Sequence, residues 1–215
     1  MVRCLLLCVI IGMGLGGCVT DKDPARFDAF THNKMAVLAR NIESARDAHV
    51  LAGEQIVEAV RKIRAEASTG ARPQEAYDVI RRQLARCESR RHSADRRLKL
   101  ARNSANEHFS QWGRELEDYD DKTLREASRR SLNDYKARFR VVAEQMDQAG
   151  DEMEKVVAAI QDQMLFVKHH RNTAALPPRP QPEVNLEALA EPMMNQVGLV
   201  VLRADEFVDR TRAAR

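Results

Sequence analysis

Apolar residues recur along most of this chain in alternating steps of three and four, the period that keeps one face of an α-helix apolar. The first run reads Met35, Leu38, Ile42, Ala45, His49, Ala52, Ile56, Ala59 and Ile63. Held for about four heptads, such a seam predicts one long coiled-coil-like helix. Asp23-Pro24 opens it with an N-cap carboxylate and a proline at the first helical position. Ser68-Thr69-Gly70-Ala71-Arg72-Pro73 ends it: Gly70 supplies the C-terminal cap and Pro73 starts the next helix.

The second helix carries Tyr77, Ile80, Leu84, Cys87, Arg91, Ala94, Leu98, Ala101, Ala105, His108 and Trp112 on its seam, with the register running to Tyr119. Asp120-Asp121 then gives a turn and an N-cap, and a third helix begins near Lys122. Its seam reads Leu124, Ser128, Tyr135, Phe139, Val142, Met146, Ala149, Met153, Val156, Ile160, Gln163, Val167, His170 and Ala174. Pro177, Pro178, Pro180 and Pro182 make residues 176–184 a stiff extended connector, because proline lacks the amide proton a helix needs. Beyond it, Leu186, Leu189, Met193, Val197, Val200, Ala204 and Phe207 define a shorter amphipathic helix over 185–212, with Pro192 expected to kink it.

Tight turns make consecutive helices antiparallel. The expected fold is therefore all-α: an elongated antiparallel bundle of three long coiled-coil-like helices over 24–175, plus a shorter C-terminal helix. At about 1.5 Å per residue the long helices measure roughly 65 to 80 Å, a rod and not a globule. With turns centred near 70 and 120, facing residues have numbers summing to about 141 between helices one and two, and about 241 between two and three.

Composition agrees with long helices: aromatics are 5% of residues, and the chain has 9 glycines and 7 prolines. Charge adds a bound on partners. The chain has 35 Lys plus Arg and 32 Asp plus Glu, a net charge of +3, too balanced to imply overall attraction to nucleic acid or a membrane surface.

The N-terminus changes the picture most. Arg3 precedes an apolar run from Cys4 to Leu15, too short for the roughly 20 residues that span a bilayer but suited to a signal peptide over 1–17. Leu15-Gly16-Gly17-Cys18 resembles the lipobox of bacterial lipoproteins, which implies that Cys18 is acylated and becomes the first mature residue, with 18–23 as the lipidated N-terminus and a short polar spacer, Thr20 to Asp23. Two or more acyl chains hold a protein on a bilayer essentially permanently, so the lipid bilayer is the first expected partner. Val19 is not the aspartate that resembles an inner-membrane retention signal, which favours, in a Gram-negative host, the outer membrane with the protein facing the periplasm. With Cys4 and Cys8 removed and Cys18 acylated, Cys87 alone remains and no intrachain disulfide can form; on the seam it reads as a small buried apolar side chain.

Residues 81–102 hold Arg81, Arg82, Arg86, Arg90, Arg91, Arg96, Arg97, Lys99 and Arg102 against only Glu88 and Asp95. Arg82, Arg86, Arg90 and Arg97 form a candidate face for an anionic envelope polymer or lipid. The competing reading is interhelical pairing, because the register sets this stretch opposite Glu144, Asp147, Asp151, Glu152 and Glu154. No aromatics interleave with the basic residues, so nucleic acid is not an expected partner. The register also puts His49, Arg91 and Ala149-Gly150 at one level, a polar layer that fixes alignment.

Nothing points to catalysis. There is no His-Glu-x-x-His, no phosphate-cradling glycine loop and no serine nucleophile with a base. His169 and His170 are neighbours that point about 100° apart on a helix, and no spaced ligand set completes a shell, so no metal or other cofactor is expected. Met146, Met153, Met193 and Met194 read as core.

Asp162-Gln163-Met164-Leu165-Phe166-Val167-Lys168-His169, with Asn172 and Ala174 after it, resembles the signature segment of an uncharacterised bacterial lipoprotein family, domain of unknown function 2959. Arg40, Glu43, Ala45, Arg46, Leu124, Arg125 and Ser128 fit its pattern too. His170 and Arg171 depart from it, standing where an asparagine and an apolar residue are expected. The resemblance implies an all-helical lipoprotein and supplies no activity.

If the first helix leaves the membrane at Cys18, the third climbs again and brings Lys168, His169, His170 and Arg171 to the distal end beside Arg72. The expected function is thus a non-catalytic, lipid-anchored periplasmic scaffold or adaptor whose basic tip engages an envelope protein or peptidoglycan. The bland alternative is that Gln163, Phe166 and His170 pack the last helix where it folds back. The other functional class is a module binding an anionic polymer or lipid through the second helix. A seam rich in Ala and polar residues can be completed within one chain or between chains, so an oligomer is left open.

Overall fold

A computed structural model of the chain describes residues 24–68, 72–173, 176 and 185–213, with side chains from residue 34 onward. The leader, Cys18, the first turn's Gly70 and the proline connector lie outside the described residues. Those described form four helices and no strand: α1 Pro24–Ser68, α2 Pro73–Glu115, α3 Lys122–His170 and α4 Leu186–Ala213, with a 3-10 turn Leu116–Asp118 after α2.

Local sequence explains the helix ends. Pro73 sits at the first position of α2, where its missing N–H costs nothing. Asp121 caps α3 by accepting from the Thr123 and Leu124 amides at 2.7 and 3.2 Å. Asn185 does the same for α4, accepting from Glu187 and Ala188 at 3.0 and 3.3 Å. Helix α2 stops at Glu115, short of the Tyr119 expected, and Leu116 is buried in the tighter turn that follows. The α4 helix continues through Pro192, which is exposed, so the carbonyl deprived of its helical donor can be reached by water.

The seams pack as the heptads require. From Leu38 to Ile63 the α1 seam is fully buried, and Cys87 donates toward the Gln55 carbonyl at 3.8 Å, the antiparallel register expected. Between α2 and α3, the Trp112 indole donates to the Ser128 hydroxyl at 2.9 Å. Met146, Met153 and Met193 are core residues and Met194 packs against them. Leu124 departs from its expected place: at 58% exposure it lies off the seam, while Leu132, three turns in, is buried.

The fourth helix is not an appendage. It lies antiparallel to both α1 and α3, completing an up-down-up-down four-helix bundle. Its ion pairs with α1 fix the register: Glu187 with Arg64, Asp205 with Arg46, and Arg212 with Glu43 at 2.7 Å. Gly53 permits the approach, because a Cβ there would stand 3.2 Å from both Met194 Sδ and a Val197 methyl. Ala39 and Val60 share that heptad stripe of α1 with Arg46 and Gly53 and are likewise buried. Near the C-terminal end of α4, rings of His108, Phe109, Trp112, Tyr135, Phe139 and Phe207 form one continuous cluster joining α2, α3 and α4, with centroids 5.8 to 6.4 Å apart.

Candidate interaction surfaces

At the end of α3 the five residues expected to form a tip divide into two groups. Arg72, the residue that precedes α2, is engaged by Glu75 in that helix's first turn. His170 turns inward: its Nδ1 lies 2.8 Å from the Phe166 carbonyl and its ring 4.8 Å from the Phe166 ring. Arg171 sets its guanidinium 5.6 Å from the centre of the Tyr77 ring, a cation–π contact back onto α2. Lys168 and His169 remain exposed, with no side-chain partner among the described residues, and Leu165 beside them is 38% exposed. The tip is therefore narrower than the sequence suggested.

The basic stretch of α2 also divides. Arg91 pairs with Glu154 at 2.9 Å and with Asp95 at 3.2 Å, and Arg102 pairs with Asp147. The pairs with Glu154 and Asp147 cross to α3 as the register called for, whereas Asp95 belongs to α2 itself, and all of them involve only the flank facing α3. Arg82, Arg86, Arg90 and Arg97 recur at steps of four, four and seven on the opposite flank. All four are exposed and have no carboxylate partner among the described residues. Arg90 and Arg97 line a groove of about 520 Å³ between α1 and α2, together with Arg40, Ser44, Ser93 and Leu51.

A family model described as "Protein of unknown function (DUF2959)" matches residues 25–211. The chain belongs to this family. No curated protein and no solved structure matches it. The DUF2959 match runs through all four helices, so the tip segment and the arginine stripe both lie inside the family domain.

Inside the DUF2959 bundle, the expected polar layer is present. His49 is 1% exposed, with Nδ1 2.8 Å from the Ala45 carbonyl and Nε2 3.2 Å from the Met146 carbonyl, so one ring ties α1 to α3. A neutral imidazole has a single N–H and can donate to only one of these carbonyls, whereas the imidazolium serves both. Burial opposes the charged form and is the largest influence, so the pKa lies below the ordinary histidine value; the two carbonyls, Asp95 of α2 and Asp147 of α3 pull the other way. His108 is also held down by burial and by Lys34 of α1, and its Nε2 has no hydrogen-bond partner. Cys87 is buried and its thiol is pushed up to about 12, chiefly by burial and then by Glu88, which leaves it a poor nucleophile.

His49 and His108 make the stability of the bundle depend on pH. Both folded pKa values lie below the unfolded one, so the unfolded chain binds more protons as pH falls through about 6.5. Stability is fully present above that value and declines below it. The urea midpoint is expected to fall between pH 7.5 and pH 5, and His108→Leu is expected to flatten the fall; an unaltered profile in that variant would remove His108 from the account.

No group of three or more His, Cys, Asp or Glu side chains among the described residues could hold a metal ion. No described helix is long and apolar enough to cross a membrane.

Proposed function

We propose that this DUF2959 chain is a non-catalytic, lipid-anchored helical rod of the cell envelope, an adaptor that presents the far end of α3 to a partner protein. The observation that carries this reading is the placement of Lys168 and His169. They stand exposed and, among the described residues, unpartnered at the end of the bundle opposite the start of α1, the helix that follows Cys18 in the sequence. A 45-residue α1 separates the two ends by about 70 Å. The lipobox-like Leu15-Gly16-Gly17-Cys18 supports attachment through acylated Cys18, and Val19 supports the outer membrane with the rod facing the periplasm. Leu165 beside Lys168 adds apolar contact area to the charge, a mixture better suited to a protein surface than to bulk polymer.

The test is in-cell photo-crosslinking from position 168, with position 120 at the other end of the rod as control. One protein captured from 168 alone, and lost on charge reversal of Lys168 with unchanged helicity, is the expected result. Equal capture from both positions, or none from 168, overturns the adaptor reading and leaves a passive rod.

A further inference from the structure

The arginine stripe of α2 is a separate surface. We infer that the groove between α1 and α2 is a binding site for a linear polyanion bearing phosphate groups, held by Arg40, Arg90 and Arg97 and continued along α2 by Arg86 and Arg82.

The fold directs the groove's own carboxylates elsewhere. Glu43 and Asp47 line the same groove, yet Glu43 is engaged by Arg212 at 2.7 Å and Asp47 by Arg46 at 2.8 Å. Further along α1, Glu58 is taken by Arg61 and Lys62 at 2.8 and 3.1 Å. Glu43, Asp47 and Glu58 are thus matched by cations of α1 and α4, which leaves exposed Glu54 as the one α1 acid between them without a cation partner among the described residues. On the other flank of the same helix, Arg91 and Arg102 do find acids on α3. The contrast is a property of the face and not of arginine on this helix.

Geometry selects the ligand. From Arg82 to Arg97 the stripe runs for about 22 Å along the helix axis, further than a single phosphate can bridge. Guanidinium forks match phosphate oxygens with two parallel hydrogen bonds. Ser44 and Ser93, which have no partner among the described residues, add hydroxyl donors between the forks. Leu51, 47% exposed, gives the groove an apolar element against which the spacer of such a chain can lie. The site shares no residue with the tip, so either reading can fail while the other stands.

The probe is long-chain inorganic polyphosphate, titrated into the mature full-length protein. Arg90→Glu with Arg97→Glu is expected to weaken binding at least about 30-fold and to reduce the slope of log affinity against log salt by about 1.4, the loss of two phosphate contacts. The control carries the same charge change on the outward face, Arg81→Glu with Lys99→Glu, and is expected to weaken binding less than about 3-fold. Matching thermal unfolding of the two double variants separates binding from folding. Absence of polyphosphate binding, equal loss in both variants, or stripe-dependent binding to phosphatidylglycerol vesicles with none to polyphosphate would each overturn the inference.

Discussion

Phe207→Ala is expected to destabilise the bundle by about 3–5 kcal/mol, the usual cost of truncating a fully buried aromatic. Phe207 is 2% exposed and meets Tyr135 and Phe139 of α3 edge-on, at centroid distances of 6.3 and 6.4 Å and interplanar angles of 74° and 71°. Such edge-to-face pairs add roughly 0.5–1.5 kcal/mol beyond the area they bury. The site cannot collapse easily, because the rings around it are themselves packed in series: Phe139 against Phe109, and Tyr135 against Trp112 at 5.9 Å. Phe207→Leu keeps most of the volume and is expected to cost less than about 1.5 kcal/mol. Trp112 is the chain's single tryptophan, so its fluorescence during urea unfolding reports on this cluster. A loss below 1 kcal/mol on Phe207→Ala would mean that the end of α4 is not anchored by its aromatic residue.

The same cluster shows why some of the fold was legible and some was not. Helix bounds and antiparallel order follow from caps, prolines and a single heptad seam per helix. Asp121, Pro73 and the run from Leu38 to Ile63 sit where those rules put them. A helix inside a four-helix bundle must bury a wider face than one seam. The second stripe of α1, with Ala39, Arg46, Gly53 and Val60, receives α4, but its small and charged members hide it from a search for large apolar residues. The chain order beyond the proline connector gives no register for α4. Arg46 with Asp205 and Arg64 with Glu187 are pairs over sequence separations of 159 and 123, which periodicity does not encode. Leu124 failed as a seam residue for the opposite reason: it keeps the heptad spacing in the first turn of α3, where it is exposed.

For the interaction surfaces, residue type was readable and pairing was not. The sequence located the arginines and the acids opposite them, and the register brought Arg91 to Glu154 and Arg102 to Asp147. It did not show that a helix divides one basic run between two flanks. At about 100° per residue, Arg91 and Arg102 face α3 while Arg82, Arg86, Arg90 and Arg97 fall on the α1 side. Arg40 and Ser44 joined the candidate groove only once α1 was laid beside α2. At the tip, the departure of His170 and Arg171 from the expected family pattern coincides with contacts of these side chains with Phe166 and Tyr77.

Gly53 separates the docking of α4 from the stability of α1 itself. As a mid-helix glycine it lowers intrinsic helix stability by about 0.8–1 kcal/mol relative to alanine. Gly53→Ala gains that amount but places a Cβ 3.2 Å from Met194 Sδ and a Val197 methyl. The methionine end can swing aside, whereas the β-branched valine is stiff at χ1, so the two effects are expected to cancel to within about 0.5 kcal/mol. Gly53→Leu has no such balance. Its side chain would extend into space occupied by Met194 and Val197, and overpacking of a closed interface costs typically 1–3 kcal/mol. Because Met194 and Val197 both belong to α4, the strain is relieved by moving that helix and not by unwinding α1. Hydrogen exchange should therefore show α4 amides losing protection in Gly53→Leu, while amides in the α1–α2 contact from Ile56 to Cys87 keep theirs. Uniform loss across all four helices would mean that α4 is an inseparable part of one cooperative unit, and that Gly53 is required for the fold as a whole and not for docking alone.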